Sequence, residues 1–120
     1  MASHNDLGKR GEDIAKDYLE NKEYKILKLN WRHKRAEIDI IAKHSGTLVF
    51  VEVKTRSSVD FGHPEEFVDW KKEKQFEFAS LAFIEQSKHE GEIRFDIVAI
   101  TFESKNSYTV NHIEDAFWPD

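Results

Sequence analysis

The chain contains no cysteine. That excludes a disulfide scaffold, a thiolate zinc site and a cysteine nucleophile together, and it fits a reducing compartment, so a cytoplasmic home is expected. Only two prolines and five glycines occur in 120 residues, which excludes collagen-like and low-complexity classes. No apolar run approaches the roughly 18 residues of a membrane span. The start, Met-Ala-Ser-His-Asn-Asp, lacks a basic region followed by an apolar stretch, so neither insertion nor export is expected. What is there is 39% hydrophobic and 34% charged, the composition of an ordinary globular chain. At this length a single domain over residues 1–120 is expected, since two cores would each be too small.

Basic residues are the minority, 18 against 23 acids for a net charge of −5, which on average argues against a polyanionic partner. The distribution is uneven, however. From Lys22 to Arg35 six cations (Lys22, Lys25, Lys28, Arg32, Lys34, Arg35) meet one acid, Glu23, with Trp31 and His33 among them. Such a stripe suits a nucleic-acid backbone; its plainer reading is a strand edge guarded by lysines against aggregation. At the other end, Phe117 and Trp118 are expected to dock on the domain while Glu114 and Asp115 stay wet.

Asn5 or Asp6 can cap a helix over about residues 6–22, whose apolar positions Leu7, Ile14, Ala15, Tyr18 and Leu19 share one face. Glu12 falls at the margin of that stripe. Lys9 and Arg10 fall near the helix start, where the dipole disfavours cations and a bound phosphate would relieve the conflict. Residues 24–32, 36–43 and 47–55 read as strands, the last two joined by a turn at His44-Ser45-Gly46. With Ser45 and Gly46 as the loop, paired residue numbers sum to 91, so Asp39 faces Glu52, Glu37 faces Lys54 and Ile41 faces Phe50. The other face pairs Ile38 with Val53, Ile40 with Val51 and Ala42 with Val49.

Residues 56–64 form a turn-rich loop, and Pro64-Glu65-Glu66 suits a helix start. The later part of this second helix, Phe76 to Ile84, is apolar around most of its circumference, which predicts burial on more than one side or a homodimer. Strands over 93–102 and 107–112 complete an α-β-β-β-α-β-β order. Such an order implies a meander, then a crossover helix that returns the chain to a strand parallel to the third.

Two carboxylates directly across a ladder repel each other unless one is protonated or a cation lies between them. Magnesium takes one or two carboxylates and keeps several waters. Asp39 and Glu52, with Glu12 nearby, therefore form a candidate magnesium site, with manganese as its substitute. Lys54 shares their face, and beside a metal-bound water its ammonium can orient the nucleophile or steady charge on a phosphate. The bland alternative is a wet sheet face on which Glu37 and Lys54 pair and the other acids are solvated.

The hairpin EIDIIAKHSGTLVFVEVKTR follows a helix carrying Gly11-Glu12 and precedes FGHPEE and RFDIVAI. Together with Gly8 to Glu12, Asn30 to Arg32 and Arg94 to Asp96, it resembles the YraN family of small bacterial proteins over nearly the whole chain. That resemblance implies a minimal member of the PD-(D/E)XK nuclease superfamily, similar in layout to archaeal Holliday-junction resolvases. The implied fold is restriction-endonuclease-like, a three-layer α/β/α arrangement with a mixed five-stranded sheet. The resemblance also carries the superfamily's acids onto Glu12, Asp39 and Glu52 and its lysine onto Lys54. The chain departs from the superfamily pattern in having Ile38, not proline, before Asp39, and from its relatives' pattern in having Ala36 where glycine is expected.

Other residues have weaker claims. Lys71, Lys72 and Lys74 could contact phosphates, but read more simply as a solvated helix surface. Arg56 leaves the hairpin on the site side and suits a phosphate contact. His33, His44, His63 and His112 lack metal-ligand spacing and read as surface or turn residues, although His33 could touch nucleic acid within the stripe. Arg94 and Asp96 read as structural, bridging a sheet edge, while Trp31 and Trp70 could stack on bases but are by default expected to be buried. The resulting functional expectation is a magnesium-dependent endonuclease hydrolysing phosphodiester bonds in branched or damaged DNA, with RNA not separable by sequence. Glu12, Asp39, Glu52 and Lys54 would do the chemistry, and Lys28, Arg32, His33, Lys34, Arg35 and Arg56 would hold the nucleic acid. The alternative is a module of the same fold that grips DNA or a repair partner without cutting.

Overall fold

Ser45 and Gly46 turn the chain with φ of 50° and 84°, the pair of left-handed conformations that a two-residue type I′ hairpin requires. Around them, in the computed structural model, which describes residues 4–57 and 70–117, β2 (Ala36–His44) and β3 (Thr47–Ser57) pair antiparallel. Their register is the expected one, with Ile41 opposite Phe50 and Ala42 opposite Val49. β1 (Lys25–His33) lies antiparallel on the outer side of β2. After α2 (Trp70–Ser87), β4 (Ile93–Ser104) runs parallel to β3, and β5 (Ser107–Ile113) closes the sheet antiparallel to β4. α1 (His4–Asn21) precedes them all. The sheet order is β1-β2-β3-β4-β5, so the expected mixed five-stranded sheet and element order are observed.

Alternate residues of a strand point to opposite faces, and β3 uses both. Val49 and Val51 pack with Ala15 and Leu19 of α1, whereas Leu48 and Phe50 pack with Phe76, Ala79 and Phe83 of α2. The two helices therefore cover opposite faces, giving three layers. A strand covered on both sides reads as a continuous apolar run, which is what Leu48 to Val51 present.

Several expectations change on inspection. Among the described residues the helix already runs from His4, so Asn5 and Asp6 lie within it and not at the position before it. Arg10 lies further along, and its guanidinium sits 4.7 Å from the centre of the Phe102 ring, a cation–π contact. α2 is not buried all round within this chain, because Phe78 and Leu81 are 48% and 58% exposed. Phe117 docks as expected, 5.5 Å from both Phe76 and Phe95. The segment starting at Pro64, His63 and Trp118 lie outside the described residues, as does the side chain of Trp70.

Arg94 and Asp96 are structural, but in the interior and not at a sheet edge. Asp96 is fully buried and accepts hydrogen bonds from Arg94 Nε and Nη2 at 2.8 Å, and from the Asp115 N–H at 3.0 Å. It also pairs with His112 Nε2 at 2.8 Å. Arg94 reaches on to the Tyr24 hydroxyl at 2.7 Å. His112 is thus a buried partner of Asp96, contrary to its reading as a surface histidine. His44 stacks on Tyr24, with ring centres 4.1 Å apart.

Candidate active site

Among the described residues, the β2–β3 ladder ends at Ile40–Val51. β3 continues alongside β4 as far as Ser57, so it is β2 that departs. At the point of parting, Asp39 Oδ2 accepts a hydrogen bond from the Val53 N–H at 2.8 Å, a bond that a strand neighbour's carbonyl would otherwise accept. The expected cross-strand pairs Asp39–Glu52, Glu37–Lys54 and Ile38–Val53 consequently do not form as ladder partners. Glu37 instead accepts from Arg32 Nε at 3.1 Å, and Lys54 pairs with Glu52 at 3.2 Å.

The local backbone is irregular on both strands. Leu29 pairs with Ile40 and Trp31 with Ile38, which sets Asn30 across from Asp39, and Asn30 has φ of 50°. Asparagine is one of the few residues that tolerate this left-handed conformation. Ile40 packs on the α1 side and Ile38 on the α2 side. Residues two apart in a regular strand share a face, so β2 turns over at Asp39. Trp31 joins the α2-side core, as expected of a tryptophan.

Parting of the strands lets groups from opposite faces of the sheet meet. On the α1 side the approach depends on Gly11. A β-carbon there would overlap Thr55 Oγ1 and stand 3.0 Å from Thr55 Cβ, so only glycine allows the helix to cross β3 this closely. Glu12, the next residue, lines a cleft of about 280 Å³ with Asp39, Val53, Thr55, Arg56 and Lys72. On the α2 side, Glu52 and Lys54 lie behind it, only 1% and 5% exposed. The structure therefore gathers Glu12, Asp39, Glu52 and Lys54 in one region.

Lys72 was not expected there. Its ammonium pairs with Glu52 Oε1, the same oxygen that Lys54 contacts, so its reading as a solvated helix residue is corrected. The signal was present in the periodicity: Lys72, Phe76, Ala79 and Phe83 follow the i, i+4, i+7, i+11 stripe of an inward helix face. Lys74 is exposed, as read.

These charges act on one another. Burial pushes the Asp39 carboxyl up to about 7, and the nearby Glu52 and Glu12 charges add to that, against the Val53 N–H and Lys72. Lys54 is shifted down, chiefly by burial and further by Lys72, although Glu52 opposes the shift. For Lys72, burial pulls down, but its bond and attraction to Glu52 outweigh this and the net shift is upward. Glu52 Oε2 is buried without a hydrogen-bond partner among the described residues. Among those residues no group of three His, Asp or Glu side chains is assembled as a ready metal centre. Glu12, Asp39 and Glu52 share the region without converging as a three-carboxylate ligand set.

The basic residues fall in three places. Arg32, His33, Lys34 and Arg35 surround the β1–β2 turn, at the end of the sheet where β2 begins and β3 finishes. Arg56 lines the cleft itself. Lys28 lies farther along, opposite Ile41. His33 stacks on Trp31 with centres 6.0 Å apart and tilts against Phe78 at 5.1 Å.

A model of the uncharacterised protein family UPF0102 matches residues 11–100, a span that begins at Gly11 within α1 and includes all four candidate site residues. The chain belongs to that family. A UPF0102 protein of Christiangramia forsetii is 48% identical over 118 residues, covering 98% of each chain. One from Flavobacterium psychrophilum is 47% identical over 118 residues with the same coverage. Another from Prosthecochloris aestuarii is 45% identical over 121 residues, covering 96% of this chain and 95% of its own. UPF0102 is the YraN-type family that the sequence motifs resembled. Among the described residues, no helix is long and apolar enough to cross a membrane.

Proposed function

We propose that this UPF0102 protein is a divalent-metal-dependent endonuclease that hydrolyses phosphodiester bonds in DNA, with branched or damaged DNA as the favoured substrate class and RNA as the other candidate. The observation that carries this reading is the meeting of Glu12, Asp39, Glu52 and Lys54 where β2 and β3 part. Like-signed carboxylates held close together cost stability, and their placement beside a cleft and a lysine supports a chemical use for them.

The residues fit a hard cation. The donors are all oxygens, Glu52 Oε2 lacks a partner among the described residues, and two carboxylates with retained water suffice for magnesium. Asp39 and Glu52 would hold magnesium or manganese, with Glu12 supporting from the α1 side. Bound there, the cation would supply a water of lowered pKa and offset charge on the phosphate. The rest falls to the chain. Lys54, fixed by burial and by Glu52, presents an ammonium that can hold the attacking water or a phosphate oxygen in place. Arg56, with Arg32, Lys34 and Arg35 at the same end of the sheet, binds the phosphate backbone on either side.

The test is purified protein with magnesium or manganese, offered linear, nicked, flapped, four-way and single-stranded DNA and a matching RNA. Metal-dependent scission of any of these, lost in Asp39→Asn, supports the proposal. Binding without scission by either protein assigns the fold to recognition alone.

A further inference from the structure

We propose that Lys72 is a displaceable counterion of the candidate site, holding Glu52 until a divalent cation takes its place. The inference rests on the metal-binding reading of the same residues and concerns a side chain which that reading does not use.

Glu52 is 1% exposed and carries two lysines on a single oxygen, while its other oxygen has no partner among the described residues. The two lysines are not equivalent. Lys54 projects from the same strand as its partner and is only 5% exposed. Lys72 comes from the first turns of α2, its side chain is 49% exposed, and it lines the cleft that also contains Glu12 and Asp39. Its ammonium reaches a buried carboxylate while its side chain as a whole is half exposed, so it approaches Glu52 from the solvent side.

Charge gives the reason for its presence. Glu12, Asp39 and Glu52 place three acids around one enclosed cation, Lys54, and a buried carboxylate without adequate compensation is costly. Lys72 provides that compensation from the solvent side, the side from which an ion would enter. A cation cannot engage the Glu52 oxygen on that side while the ammonium occupies it. Uptake is therefore an exchange, and the released Lys72 is left at the cleft wall facing the approaching phosphodiester.

The exchange predicts that removing Lys72 tightens metal binding. Calorimetric titration with manganese should show Lys72→Met binding about tenfold or more tighter than wild type, the change expected when roughly 1.4 kcal/mol of competition is removed. Lys72→Arg keeps the charge and should bind like wild type. Lys74→Met removes an exposed charge from the same helix and should also bind like wild type, separating a specific exchange from a change in overall charge. Without metal, Lys72→Met should melt at a lower temperature than wild type, with manganese raising it by the larger increment. Far-UV circular dichroism checks that each variant is folded. Affinity of Lys72→Met within twofold of wild type, or an equal gain in Lys74→Met, overturns the exchange while leaving the metal site standing. Absence of manganese uptake in wild type and Lys72→Met alike overturns the metal reading, and the exchange with it.

Discussion

Asp39 Oδ2 accepts the Val53 N–H at 2.8 Å, so a side chain satisfies the donor that β2 leaves behind as it separates from β3. One carboxylate oxygen is thereby committed to the fold, and the group as a whole is held at the cleft. Asp39→Asn retains an acceptor for Val53 and removes the charge that burial, Glu52 and Glu12 all oppose. It should match or exceed wild type in metal-free stability while losing manganese uptake and scission. Asp39→Ala leaves the N–H without its partner and should be less stable than Asp39→Asn by about 1–3 kcal/mol. Urea denaturation in the presence of a chelator measures both.

Gly11 sets how close α1 comes to β3. Gly11→Ala should destabilise the chain by about 1–3 kcal/mol, the usual cost of forcing atoms into an occupied space, because the new β-carbon overlaps Thr55 Oγ1. Thr55→Ala removes that oxygen and should recover part of the loss in the double variant. Additive effects of the two substitutions in a double-mutant cycle would show that the contact does not govern the approach.

How much of this was legible in the sequence differs from element to element. The hairpin register could be counted because Ser45-Gly46 dictates both turn type and pairing, and the same count brought Asp39 near Glu52. Counting also assumes that a ladder continues, and nothing in the alternation of residues 36–43 marks where it stops. An asparagine inside an otherwise good strand, Asn30, was the only local sign. Lys72 and Glu52 are joined through a crossover whose geometry no spacing rule supplies, although the stripe to Phe76, Ala79 and Phe83 pointed Lys72 inward. Asp96 and His112, 16 residues apart, meet only because β4 and β5 are neighbours, which is why a buried pair read as two unrelated residues.

Asp96 supplies a pH dependence of known sign. Burial acts to raise its pKa, but His112, Arg94 and the Asp115 N–H outweigh burial and hold it below the usual carboxylate range. Its stabilising contribution is therefore complete above the unfolded-state value of about 4 and is lost as pH falls through the lower folded-state value. Asp96→Asn should cost about 3–5 kcal/mol at neutral pH, the scale for breaking a buried pair, and the gap to wild type should narrow below about pH 4. Urea denaturation from pH 3 to 8 tests this, and a gap that stays constant with pH would remove Asp96 as the titrating group.

Salt dependence tests the nucleic-acid surface. Arg35 lies at the β1–β2 turn and Arg56 lines the cleft, whereas Lys28 lies farther along β1, opposite Ile41. Replacing Arg35 and Arg56 with Gln should weaken duplex binding and flatten the slope of log K against log salt by roughly 0.9 per lost phosphate contact. Lys28→Gln should change the slope less. Equal slopes for wild type and the Arg35/Arg56 double variant would return these arginines to a solvating role.

The most direct measurement is single-turnover cleavage by Lys54→Met beside wild type, with manganese and the best substrate of the panel. Lys72 also pairs with Glu52, so the carboxylate keeps a counterion and the variant should fold, take up manganese and bind DNA much as wild type does. If Lys54 positions the water or steadies the phosphate, cleavage should fall about 10²-fold or more. Cleavage at the wild-type rate, with folding and metal uptake intact, would contradict the role assigned to Lys54 and leave it as a structural partner of Glu52.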